Sequence, residues 1–308
     1  MGLLWTAERL ARHDFKEVFL IEPVVPLGGI IFLSGKRGIG KSHFCLTLAA
    51  CLERRGHFFG RYPVHPTGPV VYIQADMPEP LQQVRVRMAR AHGYQLNNVH
   101  FFFPKFFNLL AVAEDNPLAQ EIRALNPCLI IWDTLRKIHK GSSNEDEVPS
   151  LIYGYSQQLF PTATHLFIHH EKKSVVEQEK LELDELHRGS GAWIDDADTG
   201  YRLSKVATGR LMLEGTKHRS CEEQPAIPLT LSRETLMLYA PPDHASSLAA
   251  LWRSRFPRGT TQELESFLLS SFVGSVRLAH DLAVQFTAEQ QRHAAYDPSP
   301  RRAGLTLA

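Results

Sequence analysis

A lysine and a serine stand side by side at positions 41 and 42, closing the run Gly35-Lys36-Arg37-Gly38-Ile39-Gly40-Lys41-Ser42. Glycines at these spacings let backbone N–H groups wrap an anion, and a helix starting at the lysine adds positive potential. Lys41 would reach the β- and γ-phosphates of a bound nucleotide, and the Ser42 hydroxyl would ligate Mg²⁺. With His43 next in line, residues 35–43 are the candidate cofactor-binding set. A plain Gly-rich turn ahead of a helix is the alternative, and it leaves the Lys-Ser ending unexplained.

Two acids and a histidine pair are the other candidates. Asp133 ends the apolar run Cys128-Leu129-Ile130-Ile131-Trp132, where an acid can hold the Mg²⁺ shell opposite Lys41 and Ser42. Asp76 ends Val70-Val71-Tyr72-Ile73-Gln74-Ala75 and could polarise the attacking water, or cap the helix that begins near Pro78; Glu79 is its rival. His169 and His170 close His165-Leu166-Phe167-Ile168, and an imidazole there could sense a γ-phosphate by hydrogen bonding. A metal site on this pair is disfavoured, because neighbours on a strand point to opposite faces.

These residues need a frame. Gly29–Leu33 reads as a buried strand and Ser42–Leu52 as a helix packed on a sheet, so the glycine-rich turn has the strand–turn–helix setting it requires. Further strands are expected at 69–76, 99–103, 128–133 and 165–170, and helices at 80–91, 118–125 and 151–160. Later strands at 199–203, 211–215 and 229–231 are partly antiparallel. Alternation of this kind predicts an α/β domain around a mainly parallel sheet. Residues 1–28 read as a lead-in and 29–240 as the main domain. Residues 241–295 read as a small helical extension, either a hairpin packed on the core or a helix-turn-helix, and 296–308 as a disordered tail.

Composition narrows the partners. The net charge is +1 and 44% of residues are hydrophobic, so there is no global basic signature; nucleic-acid binding would need a local patch or an oligomeric ring. Cys45, Cys51, Cys128 and Cys221 form no C-x-x-C pair and read as reduced packing residues. No apolar run approaches membrane-spanning length and no signal-peptide pattern opens the chain, so the expectation is a cytoplasmic protein.

Taken in order, the motifs over about residues 20–235 resemble RecA-fold ATPases of the hexameric replicative-helicase type, the plasmid RepA-like branch more than the DnaB-type. The 35–42 loop is similar to the family's first nucleotide motif. Trp132 to His139 is similar to its strand-Asp-Thr-Leu-Arg-Arg segment, and Phe167-Ile168-His169-His170 to its sensor strand end. Arg188 to Asp198 resembles its Arg-x-Ser-Gly-Ala…Asp-Ala-Asp stretch, and Gly215-Thr216-Lys217-His218-Arg219 its Lys-x-Arg hairpin.

The resemblance implies ATP and Mg²⁺ as cofactors, Lys41, Asp76 and Asp133 acting in cis, and His170 as γ-phosphate sensor. It also implies that Lys217 and Arg219 reach a neighbouring subunit's nucleotide, where a cation supplied in trans stabilises phosphoryl transfer by orders of magnitude in rate. A homo-oligomeric, hexameric ring on single-stranded DNA follows from the same likeness.

The chain departs from the pattern in three places. Asp76 stands where Glu is usual, which shortens the catalytic arm. The segment expected to approach DNA, beginning Glu171-Lys172-Lys173, is largely acidic up to Glu185. No large N-terminal domain of the DnaB type precedes the loop, so primase docking by that route is not expected. Two functions therefore stand beside each other, a DNA translocase or helicase and an ATP-dependent assembly switch with little hydrolysis. An ATP-consuming enzyme of small-molecule metabolism has no recognisable substrate pocket in the sequence.

Overall fold

The computed structural model describes residues 4–14, 18–54, 57–65, 68–105, 107–139, 147–171, 191–240, 260 and 262–263. The extension and tail expected over 241–308 lie almost wholly outside these residues, as do Lys172 to Ser190.

Helix α1 (Ala7–Arg12) buries no side chain. It leads to a hairpin of β1 (Phe19–Ile21) and β2 (Val25–Pro26), two short strands that the sequence pattern did not announce. Their Leu20, Ile21, Val24 and Val25 are buried in the main core. Then come β3 (Ile30–Ser34), α2 (Lys41–Arg54), the small β4–β5 ribbon (His57–Phe58, Tyr62–Pro63), β6 (Val70–Gln74) and α3 (Glu79–Ala91). After them follow β7 (Val99–Phe102), α4 (Pro117–Leu125), β8 (Leu129–Asp133), α5 (Glu147–Leu159) and β9 (Thr164–Ile168). The described chain ends with α6 (Gly191–Asp196), β10 (Thr199–Ala207), β11 (Arg210–His218), β12 (Ile227–Leu231) and β13 (Leu238–Tyr239).

Nine strands form one sheet in the order β13-β12-β11-β10-β3-β9-β8-β6-β7. From β10 to β7 every neighbouring pair is parallel, and β10 to β13 run antiparallel to one another. The cause is in the residues: β3, β6, β8 and β9 are buried along their whole length, which suits apolar strands covered on both faces. Alternation along β6 and β8 then sorts the two faces. Val70, Tyr72, Leu129 and Ile131 face a core shared with α2 and the Ala89 end of α3. Val71, Ile73, Ile130 and Trp132 face α4, α5 and α6. Helix α4 shows how its ends are set: the Asn116 side chain caps its first turn, Pro117 opens it, and Asn126 closes it at φ 46°.

This is the mainly parallel α/β sheet expected from the strand–helix alternation, in the RecA-like arrangement that the resemblance implies. It gathers the C-termini of β3, β9, β8 and β6 at one edge of the sheet, where ligands of open α/β sheets bind.

Candidate nucleotide-binding site

The turn after β3 is built around close contact. Gly35 has φ 153°, and a Cβ there would lie 2.5 Å from the carbonyl oxygen of Leu203 on β10. Gly40, at φ 115°, lies against the Leu211 side chain of β11. Only glycine fits the first of these, so the loop rests directly on the β10–β11 hairpin. The side chains of Lys36 and Arg37 are exposed, Ile39 is half-buried, and Ser42 is half-buried at the start of α2.

Lys41 is 3% exposed. Its ammonium donates to the carbonyls of Gly35 (2.5 Å) and Lys36 (2.9 Å), which holds it inside the loop with one donor left over. Burial lowers its pKa from 10.5 to about 8, against the upward pull of the Asp133, Glu171 and Asp76 carboxylates. The first N–H groups of a helix have no partner within it, so the loop and the start of α2 offer a triphosphate both free donors and a cation. The His43 ring is turned elsewhere: its Nδ1 lies 2.8 Å from the Leu236 carbonyl, and burial pushes its pKa down to about 4.

Asp133 sits across from this loop, 1% exposed, at the end of β8. Its Oδ2 accepts from the Tyr72 hydroxyl (2.8 Å) and from Gln74 Nε2 (3.0 Å), so the carboxylate is oriented by two neighbours on β6. Both bonds fall on one oxygen, Oδ2. Ser42 and Asp133 are the residues that would hold Mg²⁺, with phosphate oxygens and water completing its shell. Among the described residues no cluster of three or more His, Cys, Asp or Glu could hold a metal by itself.

Asp76 and His170 come together at the same edge, His170 Nε2 3.5 Å from Asp76 Oδ2. Asp76 does not cap α3. The cap position is Pro78, without a side-chain hydrogen bond, and Gln74 Oε1 takes the N–H groups of Asp76 and Met77 instead. Glu79 is exposed at the first position of α3. Burial and the Lys41 charge push His170 below its ordinary pKa while Asp76 and Asp133 pull it up, a net shift that favours the neutral ring. Its Nδ1 is buried and unpartnered among the described residues. His169 is placed differently, stacked on Phe32 with ring centroids 5.5 Å apart.

The sequence reading missed three residues around this centre. Gln82 and Arg85 lie one helical turn apart on α3; Gln82 is 2% exposed, and its amide and Arg85 Nη1 are buried without partners among the described residues. Burial lowers the Arg85 pKa, while the charges of Tyr72 and Asp133 raise it. Their spacing with Val86 and Ala89 was the available signal, because i, i+3, i+4, i+7 is the inward stripe of a helix. The third is Glu171, read from sequence as the head of the acidic segment facing DNA. Its side chain is 4% exposed and is tucked behind the phosphate loop.

Lys217 is near the end of β11 and Arg219 directly follows the strand, both away from this centre. Lys217 is level with Gly200 and Phe32, and Arg219 bonds to Asp198 at the level of Ile30. From Ile30 to Ser34 is four residues, ~13 Å along a strand, and two strand spacings add ~10 Å sideways. Lys217 Nζ donates to the carbonyls of Ile194 (3.0 Å) and Asp195 at the end of α6. Arg219 donates to Asp195 O (3.0 Å) and pairs with Asp198 (3.3 Å). Asp198 in turn accepts the Ile30 N–H at 2.8 Å, which ties the start of β3 to this corner. Between Gly200 and Tyr201 the β10–β11 register shifts by one residue, Thr216 being the extra one.

A buried lysine in a glycine-rich turn after a parallel strand, faced by a buried aspartate at the end of another, defines a P-loop nucleotide-binding domain of RecA-like fold. The chain belongs to the AAA domain family, whose profile matches residues 6–175. No curated protein matches it. Among solved structures, a DnaB-like replicative helicase described with its primase interactions is similar at TM-score 0.49 and 12% identity. That match covers 69% of this chain and 57% of the helicase chain. No helix among the described residues is long and apolar enough to cross a membrane.

Proposed function

We propose that this AAA-type ATPase domain binds ATP with Mg²⁺ at residues 35–42 and hydrolyses it in an assembly of several copies that acts on single-stranded DNA. The observation that carries the reading is the division of charge. Lys41, Asp133, Asp76 and His170 converge where the parallel strands end, while Lys217, level with Phe32, and Arg219, level with Ile30, lie two strands aside and further back along the sheet, out of reach of their own loop. A ring in which each copy offers its Lys217–Arg219 edge to the next loop brings the two halves together.

In that reading Lys41 and the loop N–H groups bind the β- and γ-phosphates. Ser42 and Asp133 would hold the Mg²⁺, which would neutralise charge on the phosphates. Asp76 orients the attacking water and takes up its proton. His170, neutral and touching Asp76, hydrogen-bonds the γ-phosphate and reports its loss. Arg85 adds a second cation from α3, and Lys217 and Arg219 supply theirs in trans, which makes hydrolysis depend on assembly.

A second reading, an ATP-driven assembly switch with little turnover, is favoured by one feature. The Asp76 carboxylate is short and is already in contact with His170. Steady-state ATP turnover with and without single-stranded DNA, beside a Lys41→Ala control, separates the two. DNA-stimulated turnover abolished by Lys41→Ala supports the motor. Nucleotide-dependent assembly without turnover refutes it and leaves the switch.

A further inference from the structure

Glu171 is in contact with three parts of the molecule that must act together. Its backbone N–H donates to the Gly35 carbonyl at 3.2 Å, the same oxygen that receives Lys41 Nζ. Its Oε1 accepts from the hydroxyl of Ser34, the last residue before the loop, at 3.3 Å. The same oxygen accepts from Arg202 Nε on β10 at 3.0 Å. Glu171 also follows His170 directly, so its anchoring fixes the turn that carries the sensor ring. Arg202 continues the chain of contacts: it is paired in register with Glu214 on β11, whose carboxylate lies 3.9 Å from its guanidinium.

A carboxylate this buried is costly unless it is paired and hydrogen-bonded, and Glu171 is both. Its bonds join elements that have no covalent reason to move together. The loop already rests on Leu203 and Leu211 of the β10–β11 hairpin. The Glu171–Arg202 pair adds a directional, charged tie at the same level.

Resting on the ATPase reading above, we propose that Glu171 is a positioning residue that clamps the phosphate loop and the His170 turn to the β10–β11 hairpin. Nucleotide binding at the loop is thereby passed to β11, the strand that carries Lys217 and leads into Arg219. Glu171 acts through Ser34, Gly35 and Arg202.

Hydrogen exchange on the full chain, with and without a non-hydrolysable ATP analogue and Mg²⁺, tests this. In the wild type the analogue should slow exchange by at least about tenfold at the 35–44 amides and also at 202–203 and 211–214. In Glu171→Ala the loop should still slow while the hairpin response disappears, and the analogue should bind about tenfold more weakly. Glu171→Gln, which keeps an acceptor for Ser34 and Arg202, should restore most of the hairpin response. Arg202→Met should abolish that response with the loop contacts intact, and it serves where Glu171→Ala does not fold.

A hairpin response in Glu171→Ala and Arg202→Met equal to that of the wild type overturns the proposal. So does a wild type whose loop responds while its hairpin does not. A wild type with no response at the loop defeats the nucleotide-binding reading itself, a different failure.

Discussion

Lys41 should make the nucleotide-free protein less stable at neutral pH than at alkaline pH. The side chain is 3% exposed and its pKa falls from 10.5 to about 8 on folding. Between those values the unfolded chain binds more protons than the folded one, so unfolding free energy rises with pH through that window. At pH 7 the 2.5-unit difference amounts to ~3 kcal/mol of destabilisation, and about 2 kcal/mol of it is relieved by about pH 9.5.

Lys41→Met keeps the chain length and removes the charge. It also loses the two bonds to Gly35 and Lys36, together ~1–3 kcal/mol, so at pH 7 the variant should lie within about 2 kcal/mol of the wild type. The informative quantity is the difference between the two proteins, because other groups titrate equally in both. Urea unfolding should show that difference moving by about 2 kcal/mol in favour of the wild type between about pH 7 and about pH 9.5. Parallel curves would show that the ammonium is not held in a desolvated loop and would refute the argument. The same substitution should abolish nucleotide binding, which makes the loop a place where stability is given up for function.

Other outcomes follow from the same geometry. Mixing equal amounts of Lys41→Ala and Arg219→Ala, each inactive alone, should recover about a quarter of wild-type turnover if the two residues serve one site from different copies; no recovery places Arg219 elsewhere. Asp133→Asn should raise the Mg²⁺ concentration needed for turnover at least about tenfold and cost about 1–3 kcal/mol in urea unfolding, since Tyr72 and Gln74 both donate to its carboxylate; an unchanged Mg²⁺ dependence removes it from the metal site. His165 is fully buried, accepts from Trp132 Nε1 and has its pKa pushed down to about 4, so stability that is present above its ordinary 6.5 is lost as pH falls from about 6.5 towards about 4. His165→Gln should flatten that acid slope by up to one proton's worth, read from unfolding free energy at about pH 7 and pH 5.

Much of this was legible in the residues because the decisive ones carry local signals. The Gly35–Ser42 loop is written in consecutive positions, and Asp133 is an acid at the end of five buried residues. The strands of the parallel sheet read as apolar runs because both of their faces are covered. What stayed hidden depends on pairings distant in sequence. Tyr72 and Gln74 orient Asp133 only because β6 and β8 are neighbours in register. Glu171 sits in a charged stretch whose composition says solvent, and only the adjacent Ser34, Gly35 and Arg202 make it a buried clamp. The β1–β2 hairpin escaped notice because strands of two or three residues leave no periodicity to read.

The extra residue in β11 has a consequence of its own. Side chains on a strand alternate, so an inserted residue reverses the parity of everything beyond it. Leu211 and Leu213 point into the core shared with α2 and α3. Without Thr216, Lys217 and Arg219 would follow them into that apolar layer. With it, both cations come out on the opposite side, against the carbonyl ends of α6, and Gly200 makes room where a Cβ would lie 2.5 Å from the Thr216 hydroxyl. A single-codon deletion at Thr216 would turn the two charges towards the apolar layer, where unpaired cations are strongly destabilising, and a methyl group at Gly200 would strain the same junction. A chain can thus keep every residue of its own nucleotide loop and still lose the placement of two cations through one residue of register.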